Sequence, residues 1–212
     1  MILHPLNVLN KVLIVGDIHG CLREFQELLQ KCSYSPQDTT LILVGDLVNK
    51  GPCSAEVVRF ARSMNALCVR GNHDESVLSF AYNLNPKQRP EAYSYIDSMA
   101  AEDLEWLREL PYTISIPSYD ALVVHAGLVP GRPLQDQHPT DMHSMRNVVT
   151  STSISGTICE PPSYEGVSTT TEGVAWASLW RGPHVYFGHD AKRGLQQHEF
   201  ATGLDTGCCY GE

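Results

Sequence analysis

Val15-Gly16-Asp17-Ile18-His19-Gly20 follows the apolar run Val12-Leu13-Ile14-Val15 and precedes a segment of helical periodicity. A buried strand that breaks at a glycine and then presents an aspartate and a histidine two residues apart sets a carboxylate oxygen and an imidazole at one strand end. That pair is a metal-ligand arrangement. The same residues also suit a plain strand-to-helix turn, with Gly16 and Gly20 supplying unusual backbone angles and Asp17 capping the next helix. The rest of the chain decides between the two.

On the carboxyl side, Leu22, Phe25, Leu28, Leu29 and Cys32 recur at helical spacing, with Arg23, Glu24, Gln26, Glu27 and Lys31 between them. The unit then repeats. Leu41-Ile42-Leu43-Val44 is a second buried strand ending in Gly45-Asp46, and after Pro52, which suits a first helical turn, Val57, Val58, Ala61 and Met64 give a second apolar helix face. A third strand, Ala66-Leu67-Cys68-Val69, ends in Arg70-Gly71-Asn72-His73-Asp74. Three β-α units with polar side chains at each strand's carboxyl end predict an α/β fold with a largely parallel sheet and one shared crevice along that edge.

Farther on, residues 81–100 lose this pattern and read as a lid or an inserted helical pair, carrying the cations Lys87 and Arg89. Leu104, Trp106, Leu107 and Leu110 make a short helix stopped by Pro111, and Thr113–Ile116 with Leu122–His125 form a hairpin around Tyr119-Asp120, its second strand ending in His125-Ala126-Gly127. Residues 131–175, rich in Pro, Ser, Thr, Gly and Gln, with Ser/Thr tracts at 150–157 and 168–171, read as a long, partly mobile loop. Order returns at Trp176–Arg181 and in the strand Val185-Tyr186-Phe187, which ends in Gly188-His189-Asp190; Gly203–Gly207 is turn-rich. The whole, residues 1–212, is expected to be one domain.

Charge and cysteine content narrow the function classes. A formal net charge of −9 and a pI near 5.4 argue against an extended nucleic-acid groove, while a small anionic substrate stays compatible if metals supply local positive charge. The seven cysteines are odd in number and form no C-x-x-C pair, which reads as reduced thiols in a cytoplasmic or other intracellular reducing compartment. The apolar start lacks a convincing cleavage site, and no run approaches the roughly 20 apolar residues a membrane span needs.

Asp17, His19, Asp46, Asn72, His73, Asp74, His125 and His189 all fall at strand ends. Each alone has a structural explanation, since Asp and Asn favour turns and a single His is commonly a hydrogen-bonded core residue. Five strand ends in series point to a cage for two divalent ions. Imidazole, carboxylate and amide donors suit Mn²⁺ first, with Fe²⁺, Zn²⁺ or Co²⁺ as alternatives, and Mg²⁺ less well. With about six ligands for two ions one carboxylate must bridge, and Asp46, from the central strand, is the candidate. Two ions roughly 3.5–4 Å apart activate water and clamp a phosphoryl oxygen, which favours phosphoester or phosphoanhydride hydrolysis. His73 is the candidate general acid, with Asp74 beside it as a possible orienting carboxylate. Arg70, Lys50 and Arg181 are candidate phosphate contacts, although Arg181 reads equally as a surface residue stacked on Trp180.

Together GDIHG at 16–20, GDLVNKG at 45–51, GNHD at 71–74, HAG at 125–127 and GHD at 188–190 resemble the metallophosphatases of the phosphoprotein phosphatase superfamily. GDLVN, and the Asp that ends the third motif, are most similar to the branch related to symmetrical bis(5′-nucleosyl)-tetraphosphatase. The resemblance implies a calcineurin-like sandwich of β-sheets flanked by helices. It also implies one metal on Asp17, His19 and Asp46, the other on Asp46, Asn72, His125 and His189, His73 in the acid position, and Arg70 and Arg181 on phosphate. Where protein phosphatases carry Asp-Arg, this chain has Asn49-Lys50. An amide cannot be the anionic partner of a histidine acid, and Lys offers a point charge in place of a planar fork. The implied reaction is therefore symmetrical hydrolysis of diadenosine tetraphosphate to two ADP. Hydrolysis of phosphoproteins, capped RNA ends or polyphosphate is the alternative on the same centre, and a metal-binding scaffold without catalysis is the alternative of another class.

Overall fold

A computed structural model describes residues 11–151 and 163–211. Its strands and helices follow in the order β1 (Lys11–Val15), α1 (Leu22–Lys31), β2 (Thr39–Leu43), α2 (Ser54–Ser63), β3 (Leu67–Cys68), α3 (Asn72–Tyr82), α4 (Ala101–Glu109), β4 (Thr113–Ile116), β5 (Ala121–Val124), α5 (Pro139–Ser144), β6 (Asn147–Thr150), β7 (Tyr164–Val167), β8 (Val174–Ala175), α6 (Trp176–Leu179), β9 (His184–Phe187), β10 (Gln196–Gln197) and β11 (Ala201–Gly203). The three β-α units form where the periodicity puts them. Strands β1, β2 and β3 pair in parallel in that order, with Val15 opposite Leu43 and Leu43 opposite Cys68. A second sheet runs β10-β11-β9-β5-β4; in it β4 and β5 are the antiparallel hairpin, while β5, β9 and β11 are parallel. The crevice is thus shared between two sheets rather than lying along one.

Side-chain alternation explains why the sheets stack. On β2, Leu41 and Leu43 join Phe25, Leu29, Val57, Val58 and Ala61 in a core between the first sheet and its helices. The intervening Ile42, with Val44 just past the strand, meets Ile114, Ile116, Ala121 and Val123 between the sheets. On the far side, Leu122, Val124, Val185 and Phe187 pack on Met142, Met145 and Trp176. Ile42, Leu43, Val123, Val124 and Val185 are fully buried, and such burial stabilises by about 1.5–3 kcal/mol for each side chain. A one-residue slip of a central strand would exchange one core for another, so the register of the strand ends is firmly set.

Two expectations change. Residues 131–175, read as a long loop, contain α5 and a three-stranded antiparallel sheet of order β7-β6-β8. These strands are two to four residues long, and of β6 only Asn147 and Val148 are buried, so their hydrophobic signal is faint. Most of the Ser/Thr tract at 150–157, together with Cys159, lies outside the described residues. The turn-rich Gly203–Gly207 begins at the end of strand β11. The expected lid, 81–100, folds as two 3-10 stretches, Pro86–Gln88 and Glu91–Ser98, with Ile96 and Met99 buried in the helical core. Among the described residues the six cysteines are free, and no helix is long and apolar enough to cross a membrane.

Candidate metal centre

The carboxyl ends of β1, β2, β3, β5 and β9 meet at one place, and backbone hydrogen bonds hold them there. Ile18 and His19 donate their N–H groups to the Asp46 carbonyl, Gly20 donates to Leu47, and Gly188 donates to the His125 carbonyl. His19, Asp46, Asn49, Lys50 and His189 all have positive φ, between 46° and 70°. Such angles cost free energy in non-glycine residues and persist only where the surroundings over-determine them. Two glycines make the close approach possible. A Cβ on Gly71 would stand 2.1 Å from Asp46 Oδ1, and one on Gly188 would stand 2.0 Å from Asp17 Oδ1.

Asp46 sits at the centre with one oxygen toward each side. Its Oδ2 is 3.5 Å from His19 Nε2 and its Oδ1 3.4 Å from His125 Nε2, while Oδ1 also accepts the His73 backbone N–H. The ligand atoms of His19, Asp46 and His73 lie within 4.8 Å of one another, as do those of Asp46, His125 and His189. Asp17 Oδ2 is 3.8 Å from His19 Nε2, and Asn72 Oδ1 is 3.2 Å from His125 Nε2. The six residues expected as ligands are therefore gathered in one cluster, and Asp46 is the group common to both halves.

Hydrogen bonding shows what this cluster is built to hold. His19 Nδ1 and His125 Nδ1 point at the carbonyls of Val48 and Val44, and His189 Nε2 at that of Ser144. A carbonyl only accepts, so each of these nitrogens carries the proton. His19 Nε2, His125 Nε2 and His189 Nδ1 are left as lone pairs, two of them directed at carboxylates. Lone pairs facing lone pairs need a cation between them, and imidazole, carboxylate and amide oxygen suit a borderline divalent ion. Considered with protons alone, the same demand appears as displaced titration. Burial opposes charge on His125, but Asp46 and Asp17 overcome it and push it up to about 10. Burial works against Asp46 too, yet His125, His19 and His73 hold it far below the carboxylate range. Burial pulls His19 down to about 4 despite Asp46, and burial with the His125 and Arg146 charges brings His189 down to about 2.

The remaining candidates separate. Lys50 Nζ donates to His19 Nε2 at 2.7 Å and lies 5.3 Å from the centre of the Tyr210 ring, which places it at the site. Arg70 is committed to Glu75 at 3.0 Å, to the Arg108 carbonyl and to the face of Tyr112; its buried Nε has no partner among the described residues. Arg181 is a correction. Its guanidinium donates to the Ser178 and Trp180 carbonyls and lies over Phe200, not over Trp180. It precedes β9, and the four residues of that strand, about 13 Å, separate it from His189. Arg181→Ala is accordingly expected to leave kcat and KM within about twofold of the parent, since surface changes away from a site have small effects.

Asp74 is the second correction. It accepts from the backbone N–H groups of Asp46 (2.9 Å), Leu47 (3.0 Å) and Gly71 (2.9 Å), and so braces the β2 and β3 loops. Burial and the Asp46 charge push it up to about 6. The partner of His73 is Asn49, whose Nδ2 is 2.9 Å from His73 Nδ1. Arg146 is an addition to the site: it donates to the His189 carbonyl at 3.2 Å and its Nε lies 3.7 Å from Asp190, which also pairs with Arg193. It belongs to the stretch read as loop and carries no local signal.

Residues 10–204 match the sequence profile of the calcineurin-like phosphoesterases. The symmetrical bis(5′-nucleosyl)-tetraphosphatase of Aromatoleum aromaticum is 43% identical over 122 residues, covering 55% of this chain and 44% of that protein. The chain thus matches less than half the length of this relative. The enzyme of the same name from a Marinomonas species is 28% identical over 93% of this chain and 90% of its own length. A crystal structure provisionally assigned as a diadenosine tetraphosphatase superposes with a TM-score of 0.85 at 38% identity, over 99% of this chain and 88% of that one.

Proposed function

Because the chain belongs to the calcineurin-like phosphoesterase family, we propose that it is a dinuclear-metal hydrolase of phosphoanhydride bonds, which cleaves diadenosine tetraphosphate or a related nucleoside polyphosphate symmetrically to nucleoside diphosphates. The observation that carries this reading is the Asp46 carboxylate, with one oxygen beside each of two histidine groups. Asp17, His19 and Asp46 would hold one divalent ion, and Asp46, Asn72, His125 and His189 the other, with Mn²⁺ favoured by the donor set. When bound, such a pair activates water and draws electron density from the phosphoryl group.

This chain's own residues do the rest. The Val48, Val44 and Ser144 carbonyls keep the three imidazoles in the tautomers that offer lone pairs. Asp74 holds the β2 and β3 loops so that Asp46 and Asn72 converge. His73, its ring edge against His19 with centroids 4.9 Å apart, directs Nε2 away from Asn49 and donates to the leaving oxygen. Lys50 and Arg146 supply positive charge to the outer phosphoryl oxygens, and Arg70 joins them by exchanging its Glu75 pair for phosphate. GDLVN and the Asn49-Lys50 pair favour an anhydride over a phosphoprotein substrate.

The test is ADP release from diadenosine tetraphosphate by Mn²⁺-loaded protein, measured beside phosphopeptide, capped RNA and polyphosphate. The dinucleotide is expected to have the highest kcat/KM; hydrolysis of phosphopeptide alone would overturn the substrate. His73→Ala is expected to lower kcat by about 10²–10³ with metal content unchanged, the usual loss of one transition-state donor.

A further inference from the structure

Tyr95 comes from the 3-10 segment Glu91–Ser98, far in sequence from every motif, yet its hydroxyl lies 2.5 Å from Asn49 Oδ1, and Asn49 Nδ2 lies 2.9 Å from His73 Nδ1. Building on the reading above, on which it rests for the identity of the leaving oxygen, we propose that Tyr95 is a positioning residue. Through Asn49 it holds His73 with a bare Nδ1 and a protonated Nε2, and so restricts the enzyme to substrates whose leaving oxygen departs without full protonation.

The sense of each hydrogen bond follows from the donors present. The Asn49 amide oxygen faces the Tyr95 hydroxyl and the amide N–H₂ faces His73 Nδ1, so Tyr95 donates to the one and His73 Nδ1 accepts from the other. Ser54 supports Asn49 from behind, its hydroxyl oxygen accepting the Asn49 backbone N–H at 2.9 Å. Burial, with Tyr93 and Asp74 nearby, keeps the Tyr95 hydroxyl protonated. The relay runs one way, Tyr95 to Asn49 to His73, and ends on the Nδ1 lone pair.

An aspartate at position 49 would accept a hydrogen bond from Nδ1–H and stabilise an imidazolium able to surrender its Nε2 proton. An amide N–H cannot. In the reaction, an oxygen–phosphorus bond forms from water, whose proton passes to solvent. The bond to the leaving oxygen breaks and takes its electron pair, and Nε2–H donates a hydrogen bond to that oxygen while keeping its proton. Full transfer would leave an imidazolate. A departing phosphate, with a second pKa of about 6, tolerates this, whereas the far more basic alkoxide of a serine or simple alkyl ester does not. The ligand class is therefore phosphoanhydrides and phosphate esters of acidic alcohols.

The tautomer can be read without metal or substrate, in ¹⁵N-histidine-labelled metal-free protein with the His73 signals identified by their loss in His73→Gln. A protonated Nε2 and bare Nδ1 are expected. Tyr95→Phe should shift His73 toward a mixture of tautomers, while Tyr93→Phe, altering the ring beside Tyr95, should not. In the Mn²⁺-loaded enzyme, Asn49→Asp should lower the ratio of kcat/KM for 4-nitrophenyl phosphate over phenyl phosphate by about tenfold or more, the scale of general-acid catalysis. A protonated Nδ1 in the parent protein, or an unchanged ratio in Asn49→Asp, overturns the proposal, and both readouts stand even if Tyr95→Phe does not fold. The stated tautomer without ADP release from the dinucleotide would refute the proposed function alone; the opposite tautomer with normal ADP release would refute only this inference.

Discussion

Asp46→Asn is expected to lower the bound metal from two ions to one or fewer for each chain and to reduce kcat/KM by about 10³-fold or more. An amide keeps one oxygen and turns the other into an N–H₂ donor. Asp46 uses both oxygens, Oδ2 beside His19 at 3.5 Å and Oδ1 beside His125 at 3.4 Å, so either orientation of the amide sets a donor where a cation would sit. Electrophilic activation by metal is worth several kcal/mol in a transition state, and each 1.36 kcal/mol is roughly tenfold in rate. Metal analysis after gel filtration, run beside steady-state kinetics, checks both halves. Full metal content with residual activity near the parent's would remove Asp46 from the bridge and with it the dinuclear reading. Asp17→Asn is expected to be milder, because Asp17 lies 3.8 Å from His19 Nε2 through one oxygen and otherwise accepts the His189 backbone N–H, rather than setting one oxygen beside a histidine of each half as Asp46 does.

The contrast between Asp46 and its neighbours shows where the sequence can be read and where it cannot. Strand ends were legible because buried strands announce themselves as short apolar runs, and a polar residue just after such a run has only the carboxyl edge to occupy. The six expected ligands meet on that account. Arg181 misled because a position in the chain says nothing about which end of a strand faces the crevice. It precedes β9 and lies over Phe200 at the opposite edge. Arg146 and the sheet β7-β6-β8 were hidden by composition, since strands of two to four residues leave too few apolar positions for a period of two to show. Tyr95 had no signal at all. Its role depends on a segment without helical periodicity folding back across 46 positions of chain to reach Asn49.

Asp74 tests the same distinction energetically. If it oriented His73, as adjacency suggests, Asp74→Asn would cost turnover and spare the fold. The observed bonds predict the reverse order of effects. The carboxylate is fully buried and accepts three backbone N–H groups, from Asp46, Leu47 and Gly71. Asparagine can satisfy the donors on only one side and turns its own N–H₂ toward the others. Buried donors left without partners cost about 1–3 kcal/mol each, and hydrogen bonds to an ionised group lie at the upper end of the usual range. Loss of stability on the order of 3–5 kcal/mol is therefore expected from urea unfolding of Asp74→Asn. Weaker metal binding should accompany it, because the same three bonds set Asp46 and Asn72 at their strand ends. An unfolding midpoint equal to the parent's, with kcat alone reduced, would return Asp74 to the side of His73 and leave the convergence of the β2 and β3 loops without its brace.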